Sequence, residues 1–294
     1  MYRKIMGFLE AWKESKHRKP LILQGARQVG KTYSILEFGR THYENVAYFN
    51  FETNPKLNET FEENISPDYL IPILSHIAGQ TIVKEKTLMV FDEVQLCERA
   101  LTSLKYFCEN APDYHIIVAG SLLGVAVNRT KFSFPVGKVD MKTLYPMDME
   151  EFMMALGEDD LVKQIKKCFQ TDTPLPSALH DAAMQLYRQY LVVGGMPECV
   201  MQFAGTKDYI LVRHTQDTIL ASYLNDMSKY NTLNEIKKTR LAYDNITVQL
   251  SKKNTRFQYK LIKKGGRASE FENAIEWLCL SGIVSQVYKV EQIK

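Results

Sequence analysis

Apolar residues follow two rhythms along this chain, and each rhythm predicts a different layer of structure. Ile5, Phe8, Leu9 and Trp12 recur at helical spacing, which predicts an opening amphipathic helix. Residues 20–24 (PLILQ), 87–91 (TLMVF) and 115–119 (HIIVA) are short apolar runs, the pattern of strands buried on both faces of a parallel sheet. Residues 45–51 (NVAYFNF) alternate and are rich in β formers, predicting another strand, and 139–144 predict a fifth. Residues 31–40 and 96–110 read as helices. Residues 54–79 read as irregular to helical, broken by Pro55, Pro67 and Pro72. Strands alternating with helical segments predict an α/β fold with a parallel sheet.

After Pro146 the strand rhythm stops. Residues 148–160 carry six acidic side chains and no basic ones. From there to about residue 233 the spacing predicts helices, interrupted near 171–176 and 194–197. The remainder reads helix, basic segment, helix, strand. Phe271, Ala274, Ile275 and Leu278 share one helical face, Gly282 offers a stop, and 283–290 (IVSQVYKV) predict a strand. The expected organisation is a core over 1–147, a helical region over 148–235 and a basic module over 236–294.

Composition sharpens that division. The 294 residues are 45% hydrophobic and 24% charged, enough apolar material for a sizeable core. Lys and Arg number 37 and Asp and Glu 34, a net charge of +3, which excludes a wholly basic nucleic-acid coat and an acidic disordered tail. The charge is uneven: residues 236–294 hold 12 basic and 5 acidic side chains, net +7, and residues 1–235 hold 25 and 29, net −4. Five cysteines, an odd number with no C-x-x-C pair, argue against a disulfide scaffold or zinc finger and for a reducing, cytoplasmic setting. No apolar run is long enough to predict a membrane-spanning helix, and the first residues lack a secretory pattern.

Chemistry concentrates in three places. Gly25-Ala26-Arg27-Gln28-Val29-Gly30-Lys31-Thr32, followed by Tyr33, fits G-x-x-x-x-G-K-[ST] between a predicted strand and a predicted helix. Glycines let the backbone wrap a phosphate chain, and loop amides with the helix N-terminus supply positive potential. Lys31 is expected to reach the β- and γ-phosphates of ATP, and the Thr32 hydroxyl to ligate Mg2+. Second, Asp92 and Glu93 close an apolar strand. Asp92 is expected to hold Mg2+ through water, and Glu93 to polarise an attacking water. Third, Ser121 follows the 115–119 strand and is a candidate for touching the γ-phosphate or the water. The plainer readings are two acids opening a helix, which would suit its dipole, and an ordinary turn serine.

Other chemistries find less support. The six histidines show no metal-ligand spacing. Gly120-Ser121 lacks the pattern of a nucleophile elbow. Asp92 is followed by Glu-Val-Gln rather than D-x-x-G, and no N-K-x-D is present, which argues against a GTPase. The paired acids disfavour a small-molecule kinase. Arg129, Lys138, Arg188 and Arg213 lie downstream as possible cations for developing phosphate charge, each more simply a surface base. Residues 251–267 hold seven Lys/Arg and no acid, with Phe257 and Tyr259 among them. That mixture suits nucleic-acid backbone and bases, or a solvated loop with two anchoring aromatics. The next helix carries Glu270, Glu272 and Glu276, a poor charge for lying among phosphates.

Taken in order, GARQVGKT, FDEVQ, HIIVAGSLLGVA, FSFPVGKV, LYPMDMEEF and YLVVGGMPE resemble prokaryotic AAA-type ATPases whose core is followed by a C-terminal domain of unknown function. The resemblance is clear from about residue 19 to 197 and weaker to the end, through DMSKY. It implies a sheet with the Ser121 strand between the Gly25-loop strand and the Asp92 strand, then a helical lid, then a winged-helix-like segment. It carries Lys31 and Thr32 over as phosphate and Mg2+ residues, Asp92 and Glu93 as metal support and water activation, and Ser121 as a sensor. Lys138 stands where many relatives have an arginine. Relatives usually continue into a nuclease-like region, so a shortened chain without nuclease activity is expected. The function implied is ATP hydrolysis as a switch or motor, with a DNA or protein partner at the basic module. The alternative is an ATP-dependent binding module with little turnover.

Overall fold

The computed structural model describes residues 1–120, 135–229, 233–253, 256–288 and 290. Among them, five strands form one parallel sheet: β1 (Leu21–Gln24), β2 (Asn45–Asn50), β3 (Thr87–Asp92), β4 (His115–Ala119) and β5 (Asp140–Thr143). Their order is β2-β3-β4-β1-β5, so β4 lies between β1 and β3, as the family resemblance implied.

Successive strand residues face opposite sides of the sheet, and both sides are covered. Leu21, Leu23, Leu88, Val90, Ile117 and Ala119 pack with Ile5, Leu9 and Trp12 of α1 (Ile5–Glu14) and with Ile35 and Phe38 of α2 (Lys31–His42). Ile22, Met89, Phe91, Ile116 and Val118 pack on the other side. Their partners come from α3 (Lys56–Glu63), α4 (Pro67–Ala78) and α5 (Glu98–Asn110). Phe91 is ringed by Phe49, Phe51 and Phe61, with centroids 5.7 to 5.9 Å away. Burying one such ring stabilises the fold by about 1.5–3 kcal/mol. The prolines expected to break 54–79 act differently from one another. Pro55 caps α3 and Pro67 opens α4, where a missing N–H costs nothing, while Pro72 sits inside α4 without ending it. Buried Leu70 and Leu74 flank Pro72 and hold that helix on the core.

Parallel strands all end on one edge of the sheet. Registers Leu23↔Ala119, Phe91↔Val118 and Asn50↔Asp92 therefore bring the loop after β1, the end of β3 and the end of β2 together.

Past β5 the chain is helical: α6 (Met149–Ala155), α7 (Asp159–Gln170), α8 (Ser177–Val193), α9 (Pro197–Thr206) and α10 (Tyr209–Lys229). The acidic stretch 148–160 has a local cause. Asp148 and Glu151 form a capping box at the start of α6, and Asp159 and Asp160 occupy the first turn of α7.

The chain divides into two compact units, Met1–Gln216 and Asp217–Lys294. Within the second, α11 (Leu233–Leu250), α12 (Tyr259–Ile262) and α13 (Ala268–Leu280) follow the end of α10. Phe271, Ala274, Ile275 and Leu278 are buried together on α13, the face the spacing predicted. Asn245 Nδ2 donates to the Leu261 carbonyl at 2.9 Å and Gln249 Nε2 to the Gln258 carbonyl at 2.9 Å, tying α11 to the basic segment. The strand predicted over 283–290 is not found among the described residues. The Ile283 and Val284 amides instead donate back to the Leu278 carbonyl, closing α13, and Val287 and Tyr288 are exposed. Alternation alone makes a segment fit to be a strand; it does not supply a partner. No helix among the described residues is long and apolar enough to cross a membrane.

Candidate functional site

The loop leaving β1 is shaped by a close approach. Gly25 has φ +150°, and a Cβ there would lie 2.2 Å from the Leu144 carbonyl oxygen, so only glycine lets the chain turn beneath the end of β5. The Leu144 amide donates to the Gln24 carbonyl at 2.8 Å and fixes that contact. Gly30, with φ +89°, caps α2 in the left-handed region. A left-handed residue followed by helical ones turns successive amides toward one concave side, an anion-binding arrangement. The first turn of α2 has no acidic residue of its own, and its last turn carries Arg40 and His42, which suit the negative end of its dipole.

Lys31 is buried, and its Nζ donates to the Gly25 and Ala26 carbonyls at 2.8 and 2.7 Å. Burial pushes its pKa down to about 8 against the pull of Glu93 and Asp92. Asp92, the last residue of the fully buried β3, collects three hydrogen bonds. Its Oδ2 accepts from the Thr32 hydroxyl at 2.9 Å and from the Tyr48 hydroxyl at 2.7 Å, and its Oδ1 accepts from the Glu93 amide at 3.0 Å. Burial, aided by the Asp92 carboxylate, raises the Tyr48 pKa to about 12, so the phenol stays a donor. Glu93 holds φ +52°, a left-handed conformation that costs a non-glycine residue on the order of 1–3 kcal/mol. The Gln95 side-chain amide donates to the Glu93 carboxylate.

The fold thus brings Lys31, Thr32, Asp92 and Glu93 to one place. Ala26 and Val29 are buried in the loop, Arg27 is half-buried, Gln28 is exposed, and Tyr33 stands exposed on the first turn of α2. Ser121 and Arg129 lie outside the described residues. Lys138 pairs with Glu109 at 2.9 Å. It precedes β5, at the edge of the sheet opposite the loop. Arg188 and Arg213 are exposed on α8 and α10. Two side chains had no motif to announce them. Tyr48 could have been found from β2, where period-2 alternation puts it on the face of Asn50, which is level with Asp92. Arg3, whose Nη1 donates to the Val29 carbonyl at 2.8 Å, gave no local signal.

The donor set bears on the ion it could serve. Among the described residues no three His, Cys, Asp or Glu side chains converge as a metal cage. One hydroxyl and one carboxylate do converge. Few, hard oxygen ligands fit Mg2+, which keeps waters and takes its other ligands from substrate phosphates.

A parallel sheet with β4 between β1 and β3, a glycine-bounded loop after β1 and an acid closing β3 are the features of the P-loop NTPase fold. Residues 17–153 match the family model described as AAA domain, and residues 184–293 match one described as Domain of unknown function (DUF8612). The chain is thus similar to an AAA domain over its first half and to a domain of unknown function over its last third, in the order the motifs implied. No curated protein matches the sequence. Solved structures that are similar include Aeropyrum pernix ORC2, at 12% identity and TM-score 0.48 over 97% of this chain and 87% of that one. The Thermotoga maritima RuvB Holliday junction branch migration motor is 13% identical, with TM-score 0.41 over 97% and 88%. C. elegans PCH-2 is 11% identical, with TM-score 0.38 over 70% of this chain and 63% of that one.

Proposed function

We propose that this chain binds ATP with Mg2+ and hydrolyses it to ADP and phosphate. The observation that carries the reading is the 2.9 Å hydrogen bond from Thr32 to Asp92, with Lys31 and Glu93 beside it. In this reading the loop amides of residues 26–32 and Lys31 bind the phosphate chain, and Thr32 and Asp92 hold the cation. Mg2+ supplies charge neutralisation at the phosphates. Glu93 orients a water and takes its proton. Ser121 remains the proposed sensor. ATP turnover tests the assignment. Wild type should hydrolyse ATP, and Glu93→Gln should bind it and turn over about 10²-fold more slowly or worse. Equal rates for the two proteins would sink the role of Glu93.

A second reading has its own observation. The Gln95 amide occupies the Glu93 carboxylate and the Glu93 backbone is strained, an arrangement suited to binding with little turnover. Gln95→Ala separates the two: a large rise in rate supports the low-turnover module, and an unchanged or lower rate opposes it.

The proposed partner surface is the basic module over 236–294, acting after the proposed core over 1–147 and helical lid over 148–235. Residues 251–267 are rich in Lys and Arg, and Phe257 and Tyr259 stack edge to face with centroids 5.2 Å apart. DNA is the partner favoured by that chemistry, and a protein is the alternative. Filter binding with and without ATP at two salt concentrations tests it, because phosphate contacts weaken steeply with salt. Retention that ignores both salt and nucleotide would count against DNA.

A further inference from the structure

Arg3 lies just ahead of α1 and is only 4% exposed, so its charge is held inside the protein. Three of its N–H groups are committed to three different parts of the chain. Nη1 donates to the Val29 carbonyl in the phosphate loop at 2.8 Å. Nη2 donates to the Tyr145 carbonyl, between β5 and α6, at 2.8 Å. Nε donates to Glu151 Oε1 on α6 at 3.1 Å. Glu151 is itself 5% exposed, and its two oxygens also accept from the Lys4 and Asp148 amides, at 2.7 and 3.3 Å.

The Val29–Gly30 peptide makes this a matter of phosphate binding. A trans peptide is planar, with its C=O and N–H on opposite sides. Holding the Val29 oxygen against Arg3 therefore points the Gly30 N–H away from Arg3. Gly30 is the left-handed residue that opens α2 and most needs an external restraint, since glycine alone holds no preferred orientation. Its own surroundings are close: a Cβ there would lie 3.5 Å from Arg3 Nη1.

We propose that Arg3 is a positioning residue for the phosphate loop, which fixes the Val29 carbonyl and so aims the Gly30 N–H at a bound phosphate chain. Through Glu151 it also makes the loop's shape depend on the seating of α6. The proposal rests on the ATP reading above. A planar fork serves this task, because one cation must hold two carbonyls and a carboxylate at fixed angles. A lysine supplies the charge without the fork.

Arg3→Lys and Glu151→Gln test it in the full chain, with two readouts. Amide hydrogen exchange without nucleotide should quicken about tenfold at residues 26–32 and stay unchanged in β1 and β4. The KM for Mg2+-ATP should rise about tenfold, with a smaller fall in kcat, and Glu151→Gln should move the same quantities less. Faster loop exchange with an unchanged KM would overturn the proposal. So would exchange that quickens equally through β1 and β4, because Arg3 would then serve the fold at large. Lys31→Ala separates this idea from its parent. If wild type and Lys31→Ala both fail to bind ATP, the nucleotide reading falls and takes the proposal with it. If wild type binds ATP, Lys31→Ala does not, and Arg3→Lys behaves like wild type, the proposal falls alone.

Discussion

The sheet and the C-terminal unit are held together by different means. Every residue of β3 and of β4 is buried, and apolar layers cover both faces. Across the eighteen residues of α11, the buried positions are Thr239, Ala242 and Gln249, two of them polar. The C-terminal unit combines the apolar face of α13 and a few buried residues of α10, such as Ile219 and Met227, with side-chain amides that grip backbone carbonyls. Most of the excess positive charge also lies inside the second unit, with net +7 over residues 236–294 and net −4 over residues 1–235. The difference teaches where precision is kept. Groups that must meet within a hydrogen bond, such as Thr32 in the first turn of α2 and Asp92 at the end of β3, stand on elements fixed by the buried sheet. A surface that attracts a partner by charge needs much less burial behind it.

Substitutions can break or sharpen that contrast. The largest effect is expected from Lys31→Ala, which should weaken ATP binding about 10³-fold, or roughly 4 kcal/mol, by titration with a fluorescent ATP analogue. Its thermal stability should fall much less, because removing the buried ammonium also removes its desolvation cost, which offsets the two hydrogen bonds lost to the Gly25 and Ala26 carbonyls. Phe271→Ala should do the reverse. It removes a fully buried ring from α13 and should destabilise the C-terminal unit by about 3 kcal/mol in urea, leaving ATP affinity unchanged. An equal loss of ATP affinity would dissolve the contrast.

His115 offers a smaller, acid-dependent test of the sheet alone. Its ring is buried on β4, bonded at Nδ1 to the Tyr43 hydroxyl at 2.7 Å and lying edge-on to Trp12. Burial, helped by Arg18 and Lys13, pushes its pKa down to about 4 from 6.5. Above pH 6.5 it is neutral folded or unfolded and contributes nothing to the pH dependence. Between pH 6.5 and 4 the unfolded chain takes up a proton that the folded chain refuses, so stability falls on acidification. The loss should reach the order of 2–3 kcal/mol near pH 4. Urea midpoints measured over that range should slope less in His115→Asn than in wild type. The smallest change is expected from Tyr48→Phe. Loss of one hydrogen bond to Asp92 should shift the KM for Mg2+-ATP by about 1 kcal/mol or less, with the fold intact. A collapse of stability there would mean that Tyr48 serves the core.

Much of the sheet was legible because its signals are local. The buried runs at β1, β3 and β4 carry their own two-faced pattern, and the glycine-bounded loop and the acids of Asp92 and Glu93 sit directly at strand ends. The contacts of Arg3 were not legible. Its partners at Val29, Tyr145 and Glu151 lie 26, 142 and 148 positions away, and no period or motif in the chain encodes such a meeting. Residues 283–290 show the converse fault. Their alternation is a local property, and pairing is not, so a strand was predicted where the chain turns back to cap α13. Pro72 teaches a related point: packing of Leu70 and Leu74 outweighs the local preference to break.

The hydrogen bonds of Lys31 to its own loop have a consequence for selectivity. The resting ammonium is already solvated, by the Gly25 and Ala26 carbonyls standing in for water. An arriving anion has to displace these internal competitors rather than fill a vacuum. Chloride or a lone sulfate gives back little for the exchange, whereas a chelating polyphosphate returns several contacts at once. On the proposed ATP reading, ATP affinity should therefore hardly change when chloride or sulfate is added at constant ionic strength, and a marked competition by either ion would oppose that reading.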